Sequence, residues 1–288
     1  MLEWQTDLAA YRLNGLFAPN LAASSQATPR LALHGWLDNA ASMAVLLTAL
    51  NASHPAPSLA LDFPGHGLSS HTAPNHHVPF VDYLDAVLAV LDAQNWSQVD
   101  LIGHSMGGGV ATLFAAAFPE KVRRLLLLDS IGPLSASPNT FASDLRRGLN
   151  ARRTPKKSVP TYPDPQSALA ARVGAIGISE AQAAPIVERG IVQTSDSLWR
   201  WRSDARLTQP SPTRFSEAQV LNAISEIRAP ALVILAEPRA SFFDPATVDA
   251  RLAAFKNAEI VNIEGGHHLH VCPDAALVEK VAGFFANL

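Results

Sequence analysis

At 288 residues, 48% of them hydrophobic, the chain can bury a substantial core, and its length suits one large domain or a core with an inserted lobe, so disorder is not expected. A formal charge of -3 and a pI near 6.4 give no overall attraction to phosphate backbones or anionic lipid, which points away from nucleic-acid and membrane partners and toward a small-molecule substrate. The single cysteine, Cys272, excludes an internal disulfide framework and a cysteine-based zinc cluster and fits a reducing compartment. The opening MLEWQTDLAAYR carries acidic residues where a signal peptide needs a basic start, and no later segment stays apolar for the length of a membrane span; a soluble cytoplasmic protein is expected.

In chain order, short apolar runs alternate with longer stretches of helical period. RLALH at 30–34 reads as a strand, 39–50 as a helix, SLALD at 58–62 as a strand and 80–94 as a helix. VDLIG at 99–103 and RLLLLD at 124–129 continue the strands, with a helix over 106–118 between them. Farther on come ALVILAE at 231–237, a helix over 245–255, AEIVNIE at 258–264 and a helix over 274–287. The strands are brief and lack alternation, as in a parallel sheet covered on both faces, so the pattern predicts a doubly wound, mostly parallel α/β fold.

The rhythm breaks between about 132 and 216. Pro133, Pro138, Pro155, Pro160, Pro163 and Pro165 punctuate short helix-like pieces, and no strand run of comparable strength occurs. This predicts a helical insertion, with 1–131 and 217–288 forming the core. Its basic cluster of Arg146, Arg147, Arg152, Arg153, Lys156 and Lys157 reads as a solvated helical face rather than an anion-binding patch, because the chain as a whole is not basic.

LIGHSMGGGV, at 101–110, carries Ser105 between Gly103 and Gly107, where a strand gives way to a helix. In a GxSxG turn the glycines remove side chains that would clash at a sharp bend, and the serine hydroxyl projects from the top of the sheet. The helix that follows offers the Met106 amide and its dipole to a developing oxyanion. A phosphate loop would need GxxxxGK[ST], and the glycines are wrongly placed for a dinucleotide fingerprint. After the first of the buried strands comes His34-Gly35-Trp36, where a second oxyanion amide would come from Trp36. DFPGHG at 62–67 makes a proline-glycine turn, and GGHHLH at 265–270 puts His267 on a loop beyond the last strand.

HGWLDNAASM, DFPGHGLSSH, GHSMGGGVA, FPEKVRRLLLLD, WRSDAR and GGHHLH, taken together and in order, resemble the α/β-hydrolase family over nearly the full chain. The resemblance is greatest to the serine hydrolase-like group, relatives of the haloalkane dehalogenases that keep serine where those enzymes carry aspartate. It implies Ser105 as nucleophile, His267 as general base, the amides of Met106 and Trp36 as oxyanion hole, and the 132–216 insertion as a cap over the pocket. It leaves the substrate open, since the fold supports many bond cleavages.

An alcohol is a weak nucleophile at neutral pH, so Ser105 needs a base within hydrogen-bond reach, and imidazole titrates in the useful range. His267 suits the role best by position, with His268 and His270 as rivals. The three together also suggest a metal site, but carboxylate or thiolate partners at recognisable spacing are missing, and no metal is expected. His104 is expected to pack beside the pocket and shape it; His66, His71, His76 and His77 read as loop or surface residues. Trp199 and Trp201, in WRWRSDARL, either line the substrate pocket or pack the insertion onto the core.

The acid of a triad is where the chain departs from its family. Many relatives place it in a GxxD pattern after the strand that follows the cap; here that place reads Ala236-Glu237-Pro238-Arg239, and arginine cannot accept the imidazole's hydrogen bond. Asp129, Glu237 and Asp244 are the candidates. Asp129 is preferred, because in family strand order it ends the strand beside the one carrying Ser105, and some dehalogenase relatives place their acid there. Glu237 has the longer reach, and Asp244 also suits an N-cap before Pro245. The expected function is a cofactor-free serine hydrolase, most simply a carboxylesterase, acting on an acyl substrate through an acyl-enzyme. Two alternatives remain: a small-ligand-binding protein on the same scaffold with little turnover, and lyase or perhydrolase chemistry in the same site.

Overall fold

A strand buried on both faces can satisfy its backbone N–H and C=O groups only sideways, so the apolar runs pair into one sheet. The computed structural model describes residues 1–9, 11–19, 27–71, 78–153, 160–239 and 242–286. The chain begins with β1 (Leu2–Asp7), β2 (Arg12–Ala18), β3 (Arg30–Leu33), α1 (Ala40–Ser53), β4 (Ser58–Asp62) and α2 (Asp82–Gln94). It continues with β5 (Val99–His104), α3 (Met106–Ala117) and β6 (Val122–Leu128). A long excursion follows: α4 (Phe141–Arg153), β7 (Thr161–Tyr162), α5 (Pro165–Ile176), α6 (Glu180–Gly190), β8 (Ile191–Gln193) and β9 (Trp199–Trp201), after which α7 (Glu217–Glu226) rejoins the core against α3. Then come β10 (Ala231–Glu237), α8 (Pro245–Ala254), β11 (Ala258–Glu264) and α9 (Ala275–Ala286).

Among the described residues, eight strands form the main sheet in the order β1-β2-β4-β3-β5-β6-β10-β11. From β4 to β11 every neighbouring pair is parallel, whereas β1 and β2 add on antiparallel at one edge. Side chains alternate across a strand, and RLLLLD shows the result: Leu125 and Leu127 join one core with Val87, Val110 and Phe114, while Leu126 and Leu128 join the other with Leu46, Leu47 and Val281. Helices α2 and α3 thus cover one face, and α1 and α9 the other. Among the described residues no helix is long and apolar enough to cross a membrane.

Three features depart from the sequence expectation. The edge pair β1 and β2 was not foreseen, since LEWQTD alternates half-buried and exposed positions without an apolar run. Helix α7 was also missed, although Ser216 and Gln219 form a reciprocal capping box at its start. The excursion between β6 and β10 is not purely helical: β7, β9 and β8 form a small antiparallel sheet against Ala168, Ala183, Val187 and Ile191. Strands this short carry too few residues to show a period of their own. Arg146, Arg147, Arg152 and Arg153 are exposed on α4, while Lys156 and Lys157 lie outside the described residues.

Polar contacts seat the excursion on the loops that follow β3 and β4. Asn39 Nδ2 donates to the carbonyl of Ile186 (2.8 Å), the Asp204 amide donates to the carbonyl of Gly65 (2.8 Å), and Arg189 pairs with the buried Asp62 (2.8 Å). The same Asp62 accepts the amides of Ala40 (2.7 Å) and Leu68 (3.0 Å), so one carboxylate joins the start of α1, the DFPGHG turn and α6.

That turn also corrects the placement of His66, which is fully buried against His34 and Tyr83 instead of lying at the surface. His71 is half-exposed, and His76 and His77 lie outside the described residues. Burial penalises the imidazolium and pushes His34 down to about 4 and His66 down to about 3 from the ordinary 6.5. His104 and His270 are held well below the ordinary value, first by burial and then by neighbouring histidines. The unfolded chain therefore binds protons that the folded chain refuses; this stabilisation is complete above 6.5 and is lost as pH falls toward about 4. Urea unfolding at pH values near 7.5 and 4.5 should show a clearly lower midpoint at the acid end. An unchanged midpoint would contradict the burial of these rings.

Candidate active site

The site is built where the parallel strands end. Ser105 follows β5 with φ 50° and ψ -116°, a conformation that is costly for a non-glycine residue. Neighbouring groups hold it there: its amide donates to the carbonyl of Leu128 (3.1 Å), and its carbonyl accepts the amide of Gly109 (3.1 Å) and the hydroxyl of Ser130 (2.9 Å). The glycines let backbones meet. A Cβ at Gly103 would fall 2.5 Å from the Gly107 carbonyl oxygen, one at Gly107 2.3 Å from that of Leu33, and one at Gly108 2.4 Å from the Ser130 Cβ. The start of α3 is thereby pressed onto β5 and β3, leaving the Ser105 hydroxyl at the helix N-terminus.

His267 comes from the loop after β11. Its Nε2 lies 2.9 Å from Ser105 Oγ and its Nδ1 2.5 Å from Asp129 Oδ2. A carboxylate only accepts, so Nδ1 carries the proton and Nε2 is free to accept the serine hydrogen. Asp129 also has a positive φ, 43°, directly after β6. Its amide donates to the carbonyl of Ile234 (2.7 Å), and its Oδ1 accepts the amide of Ala236 (2.9 Å), so β10 fixes the carboxylate from the side. Its carboxyl is 7% exposed and the His267 ring 20% exposed, a partly dry pair open toward solvent at the histidine. The half-exposed Phe242 ring stands 5.0 Å from the His267 ring.

The structure brings Ser105, His267 and Asp129 together and leaves the other acid candidates apart. Glu237 is exposed at the end of β10. Asp244 caps α8, accepting the amide (3.0 Å) and hydroxyl (2.7 Å) of Thr247, which is the alternative role the sequence left open for it. Met106 opens α3 directly after Ser105. Gly35 packs on the His104 ring, so the backbone leading into Trp36 passes beside the Ser105 turn; the Trp36 indole donates to the carbonyl of Leu207 (3.2 Å).

The three residues expected at the pocket are all engaged in packing. His104 is buried among the rings of His267, His268 and His270, beneath the site and not in a substrate pocket. Its Nε2 donates to the carbonyl of His267 (2.9 Å). Trp199 and Trp201 sit on β9 and pack the excursion's own small core, and the Trp201 indole donates to the Tyr162 hydroxyl (3.3 Å). Antiparallel pairing with β7 and β8 builds both into that small core. His268 and His270 are buried as well, and among the described residues no three His, Cys, Asp or Glu side chains converge as a metal-binding set. Sequence reasoning did not find Ser130, Phe242 or Asp38, whose partners lie far from them in the chain.

A model of the alpha/beta hydrolase family matches residues 31–280. A serine hydrolase-like protein of Dictyostelium discoideum is 30% identical over 266 residues, covering 88% of this chain and 74% of its own. A serine hydrolase-like protein of Danio rerio is 30% identical over 272 residues, covering 90% and 82%. The crystal structure of a hypothetical protein from Pseudomonas aeruginosa superposes with a TM-score of 0.87 at 34% identity, covering 99% of both chains. The family match spans the sheet from β3 onward together with the Ser105 turn and the His267 loop, and the chain belongs to the alpha/beta hydrolase family, among its serine hydrolase-like members.

Proposed function

We propose that the protein is a serine hydrolase of carboxylic esters or close acyl analogues, working without a cofactor. The observation that carries this reading is the unbroken hydrogen-bonded line from Ser105 Oγ through both ring nitrogens of His267 to Asp129. Ser105 Oγ attacks the acyl carbonyl while its proton passes to His267 Nε2, and the carboxylate of Asp129 stabilises the imidazolium that forms. The negative charge on the former carbonyl oxygen faces the amides of Met106 and Trp36 and the positive end of the α3 dipole. Collapse breaks the acyl–oxygen bond, and the leaving alkoxide takes the proton from His267. Water, deprotonated by the same nitrogen, then releases the acid and restores Ser105. In this reading the excursion over 132–216 acts as a cap, because its contacts with Asn39, Gly65 and Asp62 hold it on the loops that follow β3 and β4, at the edge of the sheet where Ser105 also lies.

A fluorophosphonate probe should label Ser105, and Ser105→Ala should abolish both labelling and turnover of a panel of activated esters of varied acyl length. Folded protein that resists the probe and turns over none of the esters would leave a ligand-binding role in its place. Among the carboxylates, Asp129→Asn should lower kcat by up to about 10⁴ with the fold intact, because the amide cannot hold the required imidazole tautomer. Glu237→Gln should keep near wild-type turnover, as should Asp244→Asn, since asparagine caps a helix as well as aspartate does. Loss of turnover in folded Glu237→Gln, with Asp129→Asn unaffected, would reassign the acid.

A further inference from the structure

Beneath His267 lies a layer of buried polar side chains that the proposed reaction does not use. Its centre is Asp38, 2% exposed, in the loop between β3 and α1. Arg172, on α5 of the excursion, pairs with its Oδ1. His268 Nε2 stands 3.3 Å from its Oδ2, within ion-pair range but not aligned as a hydrogen bond. His104 Nδ1 lies 3.9 Å from the same oxygen. Because His104 Nε2 must carry a proton to donate to the His267 carbonyl, the bare Nδ1 of the neutral ring faces Asp38. The His270 ring lies 4.0 Å from that of His104, tilted by 37°, and among the described residues neither of its nitrogens has a hydrogen-bond partner.

Four parts of the molecule meet here: the Ser105 turn through His104, the His267 loop through His268 and His270, the loop after β3 through Asp38, and the excursion through Arg172. A purely apolar layer would fill the space without stranding polar atoms, so packing alone does not account for these residues. Burial by itself would raise the Asp38 carboxyl, but His268 and Arg172 outweigh it and hold the group below the usual carboxylate range, as an anion. His267 sits on a loop without regular structure, gripped from one side by Asp129. The grip on the other side comes from His104, on the His267 carbonyl, and from Asp38, beside the next residue.

We propose that Asp38 is a positioning residue of the site: through His268 it sets the placement of the adjoining His267 ring, and its pairing with Arg172 makes that placement depend on the excursion being seated. This rests on reading Ser105 and His267 as the reacting pair. Without Arg172 the buried carboxylate loses its guanidinium partner and must draw in a proton or water, and either change shifts the loop it holds. Arg172 meets Asp38 through a single nitrogen, and among the described residues its Nε has no hydrogen-bond partner, so a lysine ammonium can supply the same contact.

The test uses Arg172→Gln, Arg172→Lys and Asp38→Asn in the full chain. Two readouts apply: the low-field NMR signal of the proton between His267 Nδ1 and Asp129, and steady-state hydrolysis of p-nitrophenyl acetate. Arg172→Gln and Asp38→Asn should displace or broaden the low-field signal. They should also lower kcat by up to about 10² with KM changed by less than about threefold, because a misplaced base loses transition-state geometry and not ground-state binding. Arg172→Lys should restore both. If Asp38→Asn does not fold, the Arg172 pair carries the test. Arg172→Gln protein that keeps the wild-type signal and kcat and loses only melting temperature overturns the proposal, as does an Arg172→Lys that restores stability but neither readout. If wild-type protein neither hydrolyses esters nor takes a fluorophosphonate, the hydrolase reading fails, and the NMR signal alone still decides whether Asp38 places His267.

Discussion

Two backbones touch where side chains would otherwise stand, and the rest of the site follows from that contact. Gly107 lies against the carbonyl of Leu33, and Gly103 against that of Gly107, so α3 starts on top of β5 and β3 with no room for a Cβ. The approach forces the chain to reverse within one residue, and that residue is Ser105, in a conformation glycine would adopt more cheaply. The strain is over-determined by three hydrogen bonds to its backbone. Parallel pairing then brings the ends of β6, β10 and β11 to the same edge, which delivers Asp129 and the His267 loop to the hydroxyl.

The excursion is attached by a different physics. Asp62 with Arg189 and Asp38 with Arg172 are ion pairs whose carboxylates are almost wholly buried. Arg251, itself 0% exposed, binds Glu217 and the carbonyls of Ile131 and Pro133 where the chain leaves the sheet. Such pairs add little net stability over apolar packing, yet losing one partner strands a charge in low dielectric. They therefore act against wrong seatings of the excursion more than they strengthen the right one.

How much of this was legible in the sequence depended on whether the signal was local. RLLLLD reads as a doubly buried strand because four leucines run without a polar break, and LIGHSMGGGV reads as a strained turn because glycines stand two residues to either side of its serine. LEWQTD does not read as a strand, since an edge needs neither face fully covered. The acid was harder, because Asp129 meets His267 through the register of β6 with β10, which links residues over 100 positions apart. Neither the burial of His66 nor the meeting of Asp38 with Arg172 leaves any trace in spacing, for each is decided by how two distant segments are seated. Trp199 and Trp201 were ambiguous for the same reason: a tryptophan suits a pocket wall and a small core equally well.

The contact between Gly108 and Ser130 has a bearing on how this sequence can drift. The missing Cβ at 108 and the side chain at 130 compete for one volume, and the hydroxyl occupying it anchors the carbonyl of Ser105. An alanine at 108 is therefore admissible only in a background where 130 has already become glycine, and that background has given up the anchor beneath the strained serine. The two positions form an epistatic unit in which neither order of substitution is neutral. Divergent members of a lineage should thus retain the pair together or exchange it together.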